Sequence, residues 1–270
     1  PDIITSNIVL TTENPPAILV ARASGKITDL FVQDKQSVSK GDNIAVIENA
    51  TNHQHLFRLK EKLAALDSFF ANFETPPPTM PLDKNYTLGE LQAFYAAFLK
   101  SYEDYQHFIL LNFHRKKIAS IQAQIARHRV LYEQLKSQVK IMEEELKLSQ
   151  QQLQRSEALD KDGIISKTDL ETARSVYLQK QYAYEGAKSG LANSTIQITQ
   201  LEQSVMELEL QYREDEKRYQ LAFSQAYENF TGQVAQWEQT YLLKAPIAGT
   251  ESFTKFWSVN QNVTAGDKVL

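Results

Sequence analysis

The sequence predicts a mostly α, α+β fold in which a long antiparallel α-helical coiled-coil hairpin interrupts a small split β-domain. Three observations carry that expectation. No proline occurs between Leu82 and Ala245. Two runs inside that stretch place apolar residues at coiled-coil spacing, and the segments flanking it repeat one turn motif.

Proline inside a helix costs about 3 kcal/mol, so the proline-free stretch permits very long helices. From Ile118, steps of three and four reach Ile121, Ile125, His128, Tyr132, Leu135, Val139, Met142, Leu146, Ser149 and Leu153, and only His128 and Ser149 interrupt the apolar pattern. A second seam starts at Leu170, Ala173 and Tyr177, passes Leu191, Ser194, Ile198 and Leu201, and continues through Tyr212 and Asp215 to Tyr219. An apolar repeat of about 3.5 residues keeps one stripe turned toward a partner helix, which makes a left-handed coiled coil. Gly186 and Gly190 in the second run are expected to let two backbones approach closely.

Asp162-Gly163 breaks the first helix, and Ser166 with Asp169 resembles a capping box opening the second. So short a connection makes the two helices antiparallel neighbours. The ascending helix is predicted over 87–159, opened by a capping box at Thr87-Leu88-Gly89-Glu90, with a tip over 160–166 and a descending helix over 167–240. Arms of about 70 residues, rising about 1.5 Å each, would span roughly 100 Å.

A shorter helix is predicted over 52–73, with Leu56, Leu59, Leu63, Leu66 and Phe70 on one face. Pro76-Pro77-Pro78 and Pro81 then make the linker 74–86 neither helical nor central-strand. The aromatic density over 91–113, with Phe94, Tyr95, Phe98, Tyr102 and Tyr105 among its residues, exceeds what a two-helix seam needs. It predicts that the short helix packs there as the third member of a helical base.

The flanks over 17–51 and 241–270 resemble each other. Gly25 is followed by Val38-Ser39-Lys40-Gly41-Asp42, and Gly249 by Val263-Thr264-Ala265-Gly266-Asp267. Each reads as strand, tight turn, strand, the glycines supplying backbone angles that other residues resist. Two such halves resemble the folded-over sandwich of biotinyl/lipoyl domains, and the hairpin occupies the place where a carrier lysine would sit. No Met-Lys-Met or Asp-Lys-Ala remains at the join, so covalent carriage of a cofactor is not expected.

A split lipoyl-like domain holding a coiled-coil hairpin resembles the architecture of HlyD-family membrane fusion proteins. Arg155, Leu159 and Ser166, at spacings of four and seven, match that family's Arg-Leu-Ser tip motif. The resemblance implies a non-enzymatic periplasmic adaptor between an inner-membrane ABC transporter (or efflux pump) and a TolC-like outer-membrane channel. The three tip residues would meet the channel, and the chain would work as a homo-oligomer, a hexamer in the family. It further implies that residues 1–16 start a membrane-proximal β-barrel domain and that a transmembrane anchor precedes them. Each tip residue also has a purely structural reading: Ser166 as a helix cap, Arg155 as a complement to a helix C-terminus, Leu159 as closure of the hairpin core.

Other chemistries find little support. A net charge of -4 offers no basic footprint for nucleic acid. The absence of cysteine removes disulfides, thiolate metal sites and cysteine catalysis. His53/His55 and His107/His114 lack carboxylates at ligand spacing, so no metal site is expected. His128 reads as a register-setting polar residue of the seam. No nucleophile elbow, P-loop or HExxH run is present.

Overall fold

The computed structural model describes residues 17–71, 77–253 and 258–269. The expected entering strands of a β-barrel, over 1–16, lie outside these residues. The chain forms strands β1 (Gly25–Leu30), β2 (Ser37–Val38) and β3 (Asn43–Ile47), helix α1 (His53–Ala71), and a single 3-10 turn at Gly89–Leu91. Helices α2 (Gln92–Leu111), α3 (Phe113–Lys161) and α4 (Lys167–Tyr241) follow, then strands β4 (Leu242–Lys244), β5 (Gly249–Thr250) and β6 (Asn262–Val263). Two compact units result, one built from both ends of the chain (up to Ile109 and from Arg218 onward), the other from Leu110–Lys217.

In the first unit, strands from the two flanks interleave as a four-stranded sheet, β4-β3-β1-β6, and a two-stranded one, β2-β5, with every pairing antiparallel. Their inner faces bury Ile27, Val38, Ile44, Ile47, Leu243 and Val263. The sequence repeat becomes a structural one. Gly25 of the first half pairs with Val263 of the second, while Gly249 pairs with Val38. Gly41 N–H donates to the Ala245 carbonyl and Gly266 N–H to the Ala21 carbonyl, both at 2.8 Å. Asp42 accepts from Ser39 N–H as Asp267 accepts from Thr264 N–H, again both at 2.8 Å. The two halves are therefore related by a pseudo-twofold, and each supplies the partners that the other lacks.

The same unit holds a helical core in which α1 buries Leu56, Leu59, Leu63, Leu66 and Phe69 against Tyr95, Phe98, Tyr102 and Tyr105 of α2 and Phe223, Phe230, Val234 and Trp237 of α4. The aromatics earn their density as a packed cluster: Phe98 lies 5.8 Å from Phe223 and 5.9 Å from Phe230, centroid to centroid. Buried aromatic pairs at such separations add about 0.5–1.5 kcal/mol beyond their burial. Polar atoms of this core find partners, with Trp237 Nε1 donating to Asn49 Oδ1 and Tyr95 OH to the Asp83 carbonyl. Burial pushes the hydroxyls of Tyr95 and Tyr102 above the ordinary phenol range.

The ascending arm departs from expectation in two places. The capping box at Thr87 does not open a helix. Thr87 and Leu88 instead dock on the end of the first β-half, where Thr51 Oγ1 donates to the Leu88 carbonyl at 2.8 Å and Asn52 N–H to the Thr87 carbonyl at 3.0 Å. Gly89, at φ 51°, then turns the chain, and the α-helix starts only at Gln92. The single helix over 87–159 is in fact two, because Asn112 adopts the left-handed conformation (φ 48°) between α2 and α3. Asparagine tolerates that region better than most residues, which makes it a competent break inside an otherwise helical sequence.

Candidate functional site

The second unit contains α3, the turn after it and most of α4. Every predicted seam position on both helices is buried or half-buried, whereas the residues around them are mostly exposed. The helices are tied across the seam by Arg129–Glu202 at 2.9 Å and Glu145–Lys180 at 2.7 Å. His114 Nε2 lies 3.5 Å from Asp215 Oδ2, and Arg115 Nη2 donates to Tyr212 OH at 3.2 Å. The exposed Arg129–Glu202 and Glu145–Lys180 pairs are worth about 0–1 kcal/mol each, so their main effect is on register. Inside the seam, His128 Nδ1 and Ser194 Oγ are buried without a hydrogen-bond partner among the described residues. Gly186 and Gly190 do not serve a close approach, because a Cβ at either would meet no atom within 4 Å.

The tip is a turn closed by its own hydrogen bonds. Gly163 lies at φ 72°, just past the end of α3. Its N–H donates to the Asp160 carbonyl, and Ile164 N–H donates to the Leu159 carbonyl, both at 2.9 Å. This pair of bonds around a left-handed glycine is a Schellman motif, which satisfies carbonyls that the helix end would otherwise leave open. On the far side, Ser166 N–H and Oγ–H both donate to Asp169 Oδ2, at 3.2 and 2.7 Å, while Asp169 N–H donates to Ser166 Oγ at 3.2 Å. The expected capping box is formed, with Asp reaching back where Glu is usual. Ser166 and Asp169 also complement the positive end of α4.

The three predicted tip residues all lie at this end and are exposed. Arg155, on the last turns of α3, makes only a long 3.4 Å bond from Nε to the Gln151 carbonyl, and no carboxylate pairs with it among the described residues. Leu159 is 39% exposed, yet Ile164, in the turn itself, is 67% exposed. Ile164 is therefore the more prominent apolar group, and sequence pattern did not single it out because a loop has no periodicity to read. Burial goes instead to Ser156, one seam step beyond Leu153. The tip thus presents a cation and two apolar side chains on a backbone already ordered by its own hydrogen bonds. Such a surface loses little conformational entropy when it docks. No cluster of metal ligands occurs among the described residues, and none of their helices is long and apolar enough to cross a membrane.

No family model matches the sequence, and no curated protein matches it. Several solved structures do. MacA from Actinobacillus actinomycetemcomitans is 16% identical, with 94% of this chain and 46% of that one covered and a TM-score of 0.22. The periplasmic adaptor protein EmrA is 18% identical over 94% of this chain and 70% of that one, with a TM-score of 0.39. The soluble domain of LipC, a membrane fusion protein of a type I secretion system, is 14% identical over 94% and 97%, with a TM-score of 0.43. At these TM-scores the superpositions are loose, and the hairpin and the duplicated strands stand on the geometry of the chain itself. The solved structures to which the chain is similar thus include a periplasmic adaptor and a membrane fusion protein.

Proposed function

We propose that this chain is the adaptor of a tripartite export system of the HlyD type, with the hairpin tip as its contact for a TolC-like outer-membrane channel. The observation that carries the reading is the tip: a capped turn that exposes Arg155, Leu159, Ile164 and Ser166 together, in a hairpin placed in sequence between two halves of one duplicated β-unit. On this reading the chain acts in the periplasm, anchored to the inner membrane. Its work is mechanical: the tip binds, and the β-unit and helical base hold their partners. The inner-membrane partner is an ABC transporter, the cargo a peptide or protein, and the assembly a homo-oligomer, a hexamer. The long arms favour this choice over multidrug efflux. A hairpin acting as a spacer with no channel contact is the contrasting reading.

A photo-crosslinking residue at Leu159 in the full-length protein, with Glu144 as a mid-hairpin control, separates these readings. The expected result is an adduct with an outer-membrane channel protein from position 159 and none from position 144. Capture of neighbouring copies alone, in correctly exported protein, would leave the spacer reading standing.

A further inference from the structure

A cavity of about 350 Å³ opens between α1 and α4, wholly within the unit built from both chain ends. Its floor is core, where Leu59, Leu63, Phe230 and Val234 are buried. The side chains at its mouth are short: Ala64 on α1, Thr231 and Ala235 on α4. Small-molecule sites start at about 300 Å³ and combine apolar walls with a few placed polar groups. Here the polar groups sort to two ends. Lys60 meets Glu238 at one end, and Tyr227 OH donates to Asp67 Oδ1 at 2.7 Å at the other. From Lys60 to Asp67, two turns of α1 cover roughly 10 Å. Between them the Thr231 hydroxyl already donates to the Tyr227 carbonyl of its own helix, at 2.9 Å. The middle of the cleft therefore offers apolar contact and no side-chain donor to spare among the described residues.

The two ends differ in sign. Lys60 and Lys244 share the Glu238 carboxylate, at 2.6 and 2.7 Å. An ammonium has three N–H donors, so each lysine keeps donors for another acceptor, and the group carries an excess of positive charge. Glu238 and Ala235 also border a second cavity, on whose wall lies Arg22. Arg22 makes a long 3.4 Å bond to the Gln239 carbonyl and pairs with no carboxylate among the described residues. Three cations thus stand around one acid at this end, whereas the far end carries the Asp67 carboxylate.

We propose that the cleft between α1 and α4 binds a single-chain anionic amphiphile, its alkyl chain lying over Leu63 and Val234 and its head group on Lys60 and Lys244. Burial of the chain supplies most of the affinity, and charge-assisted hydrogen bonds from the lysines select the head. Glu238 holds both ammonium groups in place before the ligand arrives, so little side-chain freedom is lost on binding. Asp67 fixes the direction, because a head group at that end would face like charge. A carboxylate and a phosphate head share this chemistry, so a fatty acid and a single-chain phospholipid are two sources of one ligand class. The site goes beyond the adaptor reading and does not depend on what the hairpin tip meets.

Calorimetric titration of the 270-residue chain, without detergent, tests the site with decanoate, decyl phosphate and decyltrimethylammonium. Decanoate or decyl phosphate should bind saturably, one per chain, and raise the melting temperature. The cationic probe should bind at least tenfold more weakly. The tighter of the two anions names the source, carboxylate for a fatty acid and phosphate for a phospholipid. Lys60→Met keeps the alkyl stem and should weaken the anion by about tenfold. Ala64→Phe and, independently, Ala235→Phe fill the cleft and should abolish binding, with melting temperatures of the ligand-free variants showing that they fold. Absence of saturable binding by both anions would overturn the proposal, as would equal affinity for the cationic probe. Parent-like binding by both phenylalanine variants would place the ligand elsewhere and overturn it too. A lost Leu159 adduct with retained decanoate binding sinks only the channel contact, and the opposite result sinks only this site.

Discussion

Gly89 lies at φ 51°, and a Cβ built there would fall 2.6 Å from the Ala50 carbonyl carbon and 2.8 Å from Thr51 N. Both neighbours are backbone, held by the Thr51–Leu88 bridge, so neither can yield cheaply. Gly89→Ala combines a left-handed angle with that overlap, and we expect a loss of roughly 2–4 kcal/mol in chemical unfolding. Glu238 makes a different kind of prediction. Burial alone would raise its carboxyl, but hydrogen bonds from Lys244 (2.7 Å) and Lys60 (2.6 Å) outweigh burial and hold it below the usual carboxylate range. A carboxyl depressed in the folded state stabilises the protein above its unfolded pKa, and that contribution fades as pH falls through the folded value. Glu238→Gln should therefore lower the melting temperature at neutral pH, and the gap to the parent should close as the buffer is taken into the acidic carboxylate range. A gap that persisted unchanged in acid would sink this account.

At the scale of elements, α3 and α4 show how far periodicity can be read. The seam was legible residue by residue because heptad spacing and burial share one geometric cause. The purpose of Gly186 and Gly190 was not legible, since small residues serve close packing in some helices and merely sit on the surface in others. With open space beside both, their dominant effect is entropic. Gly186→Ala and Gly190→Ala should each stabilise the isolated hairpin by up to about 1 kcal/mol, read from urea unfolding. A loss of stability from either would show a contact that the single chain does not make. The caps tell a similar story. Ser166-x-x-Asp169 and Thr87-x-x-Glu90 look alike in sequence, but only the first forms. A glycine at N2 of the second takes a positive φ, and tertiary hydrogen bonds to Thr51 and Asn52 claim the backbone that a helix start would have used. Local signals lose when a long-range partner offers the same bonds together with burial.

At the scale of the molecule, the duplicated flanks behave as one β-unit although about 200 residues separate them in sequence. Each strand pair β1–β6, β2–β5 and β3–β4 joins one half to the other or closes across the insertion. Neither half can satisfy its own edges, so the helices between them must bring the ends back together. Sequence by itself determined the helical hairpin, its seam, its turn and the two halves of the β-unit, because periodicity, proline exclusion and repeated turn residues are local properties of a chain. Only tertiary structure decided the late start of α2 at Gln92, the break at Asn112, the open surroundings of Gly186 and Gly190, and the prominence of Ile164 at the tip. Those features depend on which distant groups compete for a backbone bond or fill the space beside a side chain, and no local pattern encodes that competition.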